Sequence, residues 1–247
     1  MELGLRGRTA IVCGASQGMG LAIAEVLSAE AANVTMLARR REPLEREAER
    51  LGALAVRGDV TNPGHLEAVV ARTLEAFGGI DILVNSSGGP PRAEAAEVTD
   101  DQVEAAVELL LLSAIRLTRL CLPHLRSSGH GRVLTIASTS VLEPIPALAL
   151  SNAIRPGVVG WMKTLAREVG ADGVTVNVIA PGRIDTERLR EVYPDGPTDA
   201  DLLEIPLRRF GAAREIGEVA AFLASDRASY VTGTVIPVDG GLTRGLL

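Results

Sequence analysis

The chain has 247 residues, 47% of them hydrophobic and 23% charged, which is typical of a folded protein with a large core. Its formal net charge of −6 argues against a general binder of nucleic acid or anionic membranes. Two distant cysteines and three scattered histidines predict neither a disulfide framework nor a metal site. The first residues lack the order of a signal peptide, and the apolar runs are too short to span a bilayer, so a cytoplasmic protein is expected.

Short β-branched runs alternate with helical stretches along the chain. Strands are predicted at residues 9–13, 34–37, 53–56, 80–84, 132–136, 174–179 and 235–238. Helices are predicted at residues 20–31, 44–51, 66–77, 100–125, 153–169 and 215–224. Alternation at a spacing of about 30 residues is typical of βαβ units. We therefore predict an α/β fold, a Rossmann-like doubly wound parallel sheet of about seven strands with helices on both faces, formed by residues 1–247 as a single domain.

Two segments depart from this alternation. The predicted helix 100–125 carries four consecutive leucines at 109–112, so we expect one side to pack on the sheet and the other on a partner subunit. Residues 182–206 contain Pro194, Gly196 and Pro197 and show weak periodicity. Such an insertion in a compact domain often covers a site, so a substrate lid is predicted here.

A glycine-rich turn, "CGASQGMG", follows the first strand. Gly14, Gly18 and Gly20 allow a tight turn in which backbone N–H groups approach a pyrophosphate at the start of a helix. The spacing alone is also compatible with an ordinary tight turn. Its position at the first strand–helix junction favours a dinucleotide site.

The end of the second strand bears on the choice of cofactor. It reads "TMLARRRE", with no carboxylate at Ala38 to bind a ribose 2′-hydroxyl and with Arg39 following. An arginine suits a 2′-phosphate, with Arg40 as a second candidate, so NADP(H) is favoured over NAD(H). The alternative is that these arginines are only a solvated surface run.

These features and later motifs make the chain resemble the short-chain dehydrogenase/reductase family, in its 3-oxoacyl-[acyl-carrier-protein] reductase-like branch. "CGASQGMG" is similar to the family's TGxxxGxG, "GDVT" to its adenine-contact segment, "VNSSGG" to its NNAG element and "NVIAPGRIDTERL" to its PG segment. The resemblance runs nearly end to end. Together with the arginine above, it implies cofactor contacts from Gly14, Ser16, Gln17, Gly18, Met19, Gly20, Arg39, Asp59, Val60, Asn85, Gly88, Pro181, Gly182, Ile184 and Thr186.

The same resemblance exposes a degenerate catalytic tetrad. The family uses Asn, Ser, Tyr and Lys; here Ser138 fits the serine, but Ser151 holds the tyrosine place and Arg155 the lysine place. Leu110 falls at the asparagine place. A serine hydroxyl is a far weaker acid than a phenol, whose pKa is about 10, and arginine does not release its proton. We expect intact cofactor binding and impaired proton delivery.

Three functions stay open at this point. The first is an NADP(H)-dependent oxidoreductase acting on a small-molecule or acyl-carrier-linked carbonyl, in which Ser138, Ser151 and Arg155, or a water or substrate group, handle the proton. In it, Arg155 is also suited to hold a carboxylate or an oxyanion. The second is a non-catalytic cofactor-binding homologue, and the third a lyase or isomerase without net redox chemistry. The resemblance implies a homotetramer.

A plainer interpretation of "SNAIR" is a helix start. In it, Ser151 caps the helix, Arg155 faces solvent, and Pro156 lies in the first turn, where a proline costs little hydrogen bonding.

Overall fold

Seven parallel strands form the central sheet of the computed structural model, which describes residues 2–245. Residues 1, 246 and 247 of the predicted domain lie outside the described residues. The seven strands are β1 Thr9–Cys13, β2 Asn33–Ala38, β3 Leu54–Arg57, β4 Ile82–Asn85, β5 Arg132–Ile136, β6 Thr175–Pro181 and β9 Val235–Val238. Two further short strands are β7 Ile184–Asp185 and β8 Gly211–Ala212. β7 and β8 form a separate pair.

The strand order of the main sheet is β3-β2-β1-β4-β5-β6-β9. The chain therefore starts in the middle, winds outward through β2 and β3, and returns to add β4 on the other side of β1. Such a reversal leaves a crevice at the carboxyl ends of β1 and β4, where ligands of open α/β sheets bind. The predicted doubly wound Rossmann-like fold is confirmed.

Helices cover both faces of the sheet. They are α1 Gly18–Ala29, α2 Arg41–Leu51, α3 Pro63–Phe77, α4 Asp100–Ala106, α5 Ser113–Ser127, α6 Ala149–Val169, α7 Glu187–Val192, α8 Asp199–Leu203 and α9 Ala213–Ala224. α1 packs against α9 on one face, and α3 packs against α5 on the other. Each face of the sheet has its own hydrophobic core. Ala10 and Val12 of β1 pack in the core under α1 and α9, and Ile11 and Cys13 pack in the core under α3 and α5, because successive side chains of a strand point to opposite faces.

The predicted continuous helix 100–125 is interrupted. Residues Val107–Leu112 form a π-helical segment between α4 and α5. The Ser113 hydroxyl donates a hydrogen bond to the carbonyl of Leu109, one turn back. Serine bonds of this kind compete with the α-helical ladder and bend helices, and π segments arise at such sites. Within the segment, Leu110 is buried and its neighbouring leucines are half-buried.

The interpretation of residues 151–155 as a helix start is wrong. α6 begins at Ala149, four residues before the predicted 153, and Leu148 is the cap. The side chain of Asn152 bonds both the N–H and the carbonyl of Ile145, which anchors the additional turn. Pro156 therefore lies inside the helix rather than in its first turn, and it leaves the Asn152 carbonyl without its usual donor.

The segment 182–206 is more ordered than its weak periodicity predicted. It holds β7, α7 and α8, and Thr198 and Asp201 form a capping box at the start of α8. Arg183 is hydrogen-bonded to Glu204. Its role as a substrate lid stays a prediction. Between residues 2 and 245, no helix is both long and apolar enough to cross a membrane.

Candidate cofactor cleft and active site

A cleft opens at the carboxyl edge of the sheet, at the point where the strand order reverses. Most of the predicted cofactor residues line it: Gly14, Ser16, Gln17, Gly18, Met19, Gly20, Arg39, Asp59, Val60, Gly88 and Thr186. Pro181 and Gly182 line the adjoining pocket instead. Two predicted residues lie elsewhere, since Asn85 faces an internal cavity and Ile184 is buried beside Gly211.

The glycine turn brings backbone close to backbone. Gly14 and Gly18 have φ values of 63° and 58°, in the left-handed region that favours glycine. A Cβ on Gly14 would lie 2.7 Å from the Ser86 carbonyl oxygen, and one on Gly20 would lie 2.4 Å from the Gly14 carbonyl oxygen. No larger residue fits at either position without moving the backbone.

The start of α1 fits a phosphate group. Its cap residue, Gln17, makes no side-chain capping bond, so the first N–H groups of the helix are free to bind a ligand. The first turn carries no acidic side chain, and the helix dipole places positive charge here. The Gln17 Oε1 atom is buried and has no hydrogen-bond partner among the described residues. These features fit the pyrophosphate of a dinucleotide.

Basic side chains surround the end of the cleft beside β2. Arg39 is exposed, and its Nη1 lies 4.0 Å from Asp59 Oδ2. Arg57 donates from Nε to the carbonyl of Arg39, at 3.2 Å. Arg40 pairs across the cleft with Glu187, at 3.6 Å. Arg39 is thus the arginine whose guanidinium is most available to a ligand at this end.

Asp59 is held in a turn at the end of β3. Its Oδ1 accepts hydrogen bonds from the N–H and hydroxyl of Thr61 at 3.0 and 2.9 Å, and its own N–H donates to Nδ1 of His65. Burial raises the pKa of Asp59, but the Thr61 bonds and the charge of Arg39 outweigh it and hold the pKa below its ordinary value. Asp59 is therefore a fixed carboxylate beside Val60.

A second pocket continues the cleft toward β5 and β6. The two share Met19, Ser86, Gly88 and Arg188. The second pocket is also lined by Gly89, Pro90, Ile136, Ala137, Ser138, Leu148, Ser151, Arg155, Pro181 and Gly182. The fold therefore brings the three predicted catalytic residues, Ser138, Ser151 and Arg155, to one wall next to the cofactor cleft.

The serines of this wall form a short chain. Ser138 Oγ accepts a bond from the Ser140 N–H at 3.1 Å, and Ser140 Oγ lies 3.0 Å from Ser151 Oγ. Arg155 Nε donates to Ser151 Oγ at 3.0 Å. Since a guanidinium only donates, Ser151 Oγ accepts from Arg155, and either hydroxyl can be the donor in the bond between Ser140 and Ser151. Ser140, the second serine after β5, is a site residue that the sequence analysis missed.

Arg155 is buried, with only 8% of its surface exposed, so the interpretation that it faces solvent is wrong. Its Nη1 donates to the Ile136 carbonyl at 3.2 Å, and its Nη2 donates to the Gly88 carbonyl. These two bonds connect α6 to the end of β5 and to the loop that follows β4. Burial, and then the charge of Arg188, lower the pKa of Arg155 to about 10.

An internal cavity of about 20 Å³ lies behind Arg155, large enough for one water molecule. Leu110, which was predicted at the place of the family asparagine, contributes an apolar wall. Asn85 also lines it and donates to Thr118 Oγ1 at 3.1 Å. Asn85 therefore ties β4 to α5.

Neither tyrosine lies in the second pocket. Tyr193 packs edge-on against Phe210 with ring centroids 5.3 Å apart, and Tyr230 is fully exposed. Arg188, on α7, is a further pocket residue that the sequence analysis missed. In the sequence, Arg188 was marked only by its positive charge within the predicted lid. Among residues 2–245, no cluster of His, Cys, Asp or Glu side chains is arranged to hold a metal ion.

Comparisons with known proteins agree with this architecture. Residues 14–243 match the family model described as enoyl-(acyl carrier protein) reductase. The chain is 36% identical to the 3-oxoacyl-[acyl-carrier-protein] reductase FabG of Escherichia coli (strain K12), over 97% of this chain and 99% of that protein. It is 37% identical to the oxidoreductase UcpA of Salmonella typhimurium, over 97% and 95%. A crystal structure of L-sorbose reductase from Gluconobacter frateurii, complexed with NADPH and L-sorbose, superposes with a TM-score of 0.92 at 34% identity and covers all of both chains.

The fold and the glycine turn define a doubly wound α/β protein with a glycine-rich first strand–helix junction. The chain belongs to the short-chain dehydrogenase/reductase family and is similar to its 3-oxoacyl-[acyl-carrier-protein] reductases.

Proposed function

We propose that the protein is an NADP(H)-dependent oxidoreductase that acts on a carbonyl or hydroxyl substrate and delivers the proton weakly or atypically. The observation that carries this proposal is the continuity of the glycine-turn cleft with the pocket of Ser138, Ser151 and Arg155. A cofactor lying along the cleft would present its reactive end to that pocket. The substrate is a small molecule or an acyl-carrier-linked compound.

Two kinds of support favour NADP(H) over NAD(H). Within the chain, Arg39 is exposed at the adenosine end, and no carboxylate stands at Ala38. A guanidinium binds a phosphate with two parallel bonds, whereas the ribose of NAD(H) prefers a carboxylate. Among relatives of known structure, the L-sorbose reductase was crystallised with NADPH.

The bound nicotinamide would supply or accept a hydride. The residues of the chain would hold the substrate oxygen and move its proton. Ser138 lies on the pocket wall with its hydroxyl free to donate to a substrate oxygen, because Oγ only accepts from Ser140. Arg155 supplies a fixed positive charge near that oxygen. Proton supply is the weak step, since the Ser151 hydroxyl is engaged inside the wall.

A non-catalytic NADP(H)-binding homologue is the second candidate. It is favoured by one observation: the predicted phenol place holds a buried serine that is hydrogen-bonded to Arg155 and Ser140, while both tyrosines lie outside the pocket. A sensor or partner subunit would need the cofactor cleft but would not need a residue that donates a proton to a substrate.

The decisive experiment pairs a binding measurement with a turnover measurement. NADPH is titrated against the protein by fluorescence, and its oxidation is followed by absorbance with a broad panel of aldehydes, ketones and 3-oxoacyl thioesters. Binding with slow but measurable oxidation supports the oxidoreductase. Binding without oxidation on any compound supports the non-catalytic homologue, and absence of binding contradicts both.

We also propose that the protein assembles as a homotetramer. The half-buried leucines of the π-helical segment and the half-buried Trp161 of α6 lie on the outer helical layer. A cytoplasmic location stays a prediction of the sequence.

A further inference from the structure

Two guanidinium groups face the second pocket from different parts of the chain. Arg155 comes from α6 and forms part of its floor, while Arg188 comes from α7 and lies at its rim. The residues that line this pocket include no Asp or Glu among the described part of the chain. A chain with a net charge of −6 therefore builds a pocket that carries two positive charges.

The charge of Arg155 has no anionic partner. Its three hydrogen bonds go to neutral oxygens, those of Ser151, Ile136 and Gly88, and within residues 2–245 it forms no ion pair. A buried charge is normally paired, because the loss of water is otherwise uncompensated. Its Nη1 and Nη2 each carry a second N–H that makes no hydrogen bond within residues 2–245.

Arg188 is held toward the same pocket by the loop after β4. Its Nη1 donates to the Gly89 carbonyl and its Nη2 to the Pro90 carbonyl, both at 2.7 Å. Arg155 binds the preceding carbonyl, that of Gly88. Three successive carbonyls of one loop thus position two guanidiniums side by side, although like charges repel.

The carboxylates closest in sequence to Arg188 do not neutralise the pocket. Glu187 pairs with Arg40 on the opposite side of the cleft. The charge of Glu191 acts on Arg188 from the same helix, but Glu191 does not line the pocket. The pocket field is therefore positive and open to an anion from outside the chain.

We propose that this pocket binds the carboxylate of the substrate between Arg155 and Arg188, so that the substrate class is an oxo acid or hydroxy acid. The inference rests on the proposed function, because it names the substrate of the same site. The free N–H groups of α1 already provide a phosphate site at the glycine turn. Met19, Gly88, Pro181 and Gly182, which the resemblance assigns to the cofactor, also line this pocket, so the carboxylate would lie beside the bound cofactor.

A matched pair of probes tests the proposal without turnover. Acetoacetate and methyl acetoacetate carry the same ketone and differ in the charge of one end. Their binding to the NADP⁺-saturated protein is measured by calorimetry. We expect the acid to bind at least tenfold more tightly than the ester, and the difference to shrink with added salt, because the contact is a charge-assisted hydrogen bond.

Substitutions then test whether the preference for the acid over the ester arises from the pocket. Arg188→Gln should weaken acid binding about tenfold and leave ester binding unchanged, and Arg188→Lys should restore part of it. Arg190→Gln is the control, since Arg190 lies two residues along the same helix but pairs with Asp185 outside the pocket. Equal binding of acid and ester by the parent protein, or failure of the acid to bind, overturns the proposal.

Two further outcomes separate this inference from the proposed function. If Arg188→Gln weakens NADP⁺ and leaves the acid-to-ester ratio unchanged, Arg188 serves the cofactor and the carboxylate proposal is wrong. If the parent protein prefers the acid but oxidises NADPH with no carbonyl compound, the anion site stands and the oxidoreductase activity is contradicted.

Discussion

Arg155 donates a hydrogen bond from Nε to the hydroxyl oxygen of Ser151, over 3.0 Å. The resemblance predicts that these two residues stand at the places of the lysine and tyrosine of the family tetrad, and in the structure they bond each other. Ser151 Oγ also lies 3.0 Å from Ser140 Oγ, and either hydroxyl can be the donor of that bond. The wall keeps a positive charge and a serine but presents no phenol.

Reductase turnover on ordinary 3-oxoacyl or aldehyde substrates should be very low. The loss should be at least on the order of 10²-fold relative to a family member with the full tetrad, because general acid catalysis contributes about 10²–10⁴-fold. The double change Ser151→Tyr with Arg155→Lys should raise the rate, since residue 151 lines the pocket and a phenol there can reach a substrate.

Either single change should do little, because in Ser151→Tyr the neighbouring Arg155 does not release a proton to replace the one that the phenol gives up, and a lysine without a phenol has no acid to activate. Steady-state NADPH oxidation measures all four proteins. A wild-type rate equal to that of a full-tetrad reductase would show that another group delivers the proton, and Tyr193→Phe would test the remaining tyrosine of the 182–206 segment.

NADP(H) should bind at least tenfold more tightly than NAD(H). Arg39→Ala should reduce this gap, because Arg39 is the exposed guanidinium at the adenosine end. Arg41→Ala is the control, since Arg41 pairs with Glu45 on the outside of α2. Calorimetry or fluorescence titration gives the six affinities of the three proteins for the two cofactors. Equal affinities of the parent protein for the two cofactors would contradict the assignment.

The protein should be a tetramer in solution at micromolar concentration. Leu111, Leu120 and Trp161 are only partly buried in the isolated chain, and covering such apolar groups favours association. Light scattering measures the mass. A monomer mass would show that these side chains remain exposed to water.

Gly20→Ala should abolish detectable cofactor binding and destabilise the fold by about 1–3 kcal/mol, the usual cost of forcing atoms into a packed site. Its Cβ would collide with the carbonyl of Gly14, which belongs to the turn itself. Gly157→Ala is the matched control, because that glycine lies in α6 with open space around it. The control should gain about 0.5–1 kcal/mol. Chemical denaturation and NADPH titration measure both effects, and an unimpaired Gly20→Ala protein would contradict the close approach.

Lowering the pH should remove the stabilisation that Glu215 provides at the start of α9. Hydrogen bonds from Arg209, and then from the Ala212 N–H, hold the pKa of Glu215 at about 2 in the folded protein. Because the folded pKa lies below the unfolded value of about 4.3, the stabilisation is present above the unfolded pKa and is lost as pH falls toward 2. Both side chains are exposed, so its size should be about 1 kcal/mol at most.

Glu215→Gln should therefore lower the thermal midpoint at pH 7 but make little difference near pH 2. Glu218→Gln is the control, since Glu218 pairs with Arg214 on the same helix and does not cap it. A destabilisation by Glu215→Gln that is independent of pH would rule out the titration of this carboxylate as its cause.

The fold was largely predictable from local patterns. Residues 9–13, 132–136 and 235–238 were predicted with the bounds that the structure shows, and the other strands of the main sheet differ by one or two residues at an end, whereas β7 and β8 were not predicted. β-branched runs and the alternation of strands with helices are properties of short segments, and they specify a parallel sheet before any packing is known. The glycine turn was equally local, because left-handed backbone selects glycine.

Helix ends and interruptions depended on contacts outside the segment. α6 begins early because Asn152 bonds Ile145 in the preceding loop. The long predicted helix is interrupted by a π-helical segment, next to which the Ser113 hydroxyl donates a hydrogen bond to the Leu109 carbonyl. A helical hydrophobic period continues through both places, so periodicity alone does not show them.

The chemistry of the site was decided by tertiary structure. The sequence by itself predicted, through the resemblance, that Ser151 and Arg155 stand at the tyrosine and lysine places, but not that the two bond each other inside the wall. It did not place Arg188 near Arg155, because both reach the pocket through carbonyls of a loop that is 67 to 99 residues away in the chain. Which charges meet in a pocket depends on how distant strands and loops are brought together, and only the folded sheet brings these two arginines to one pocket.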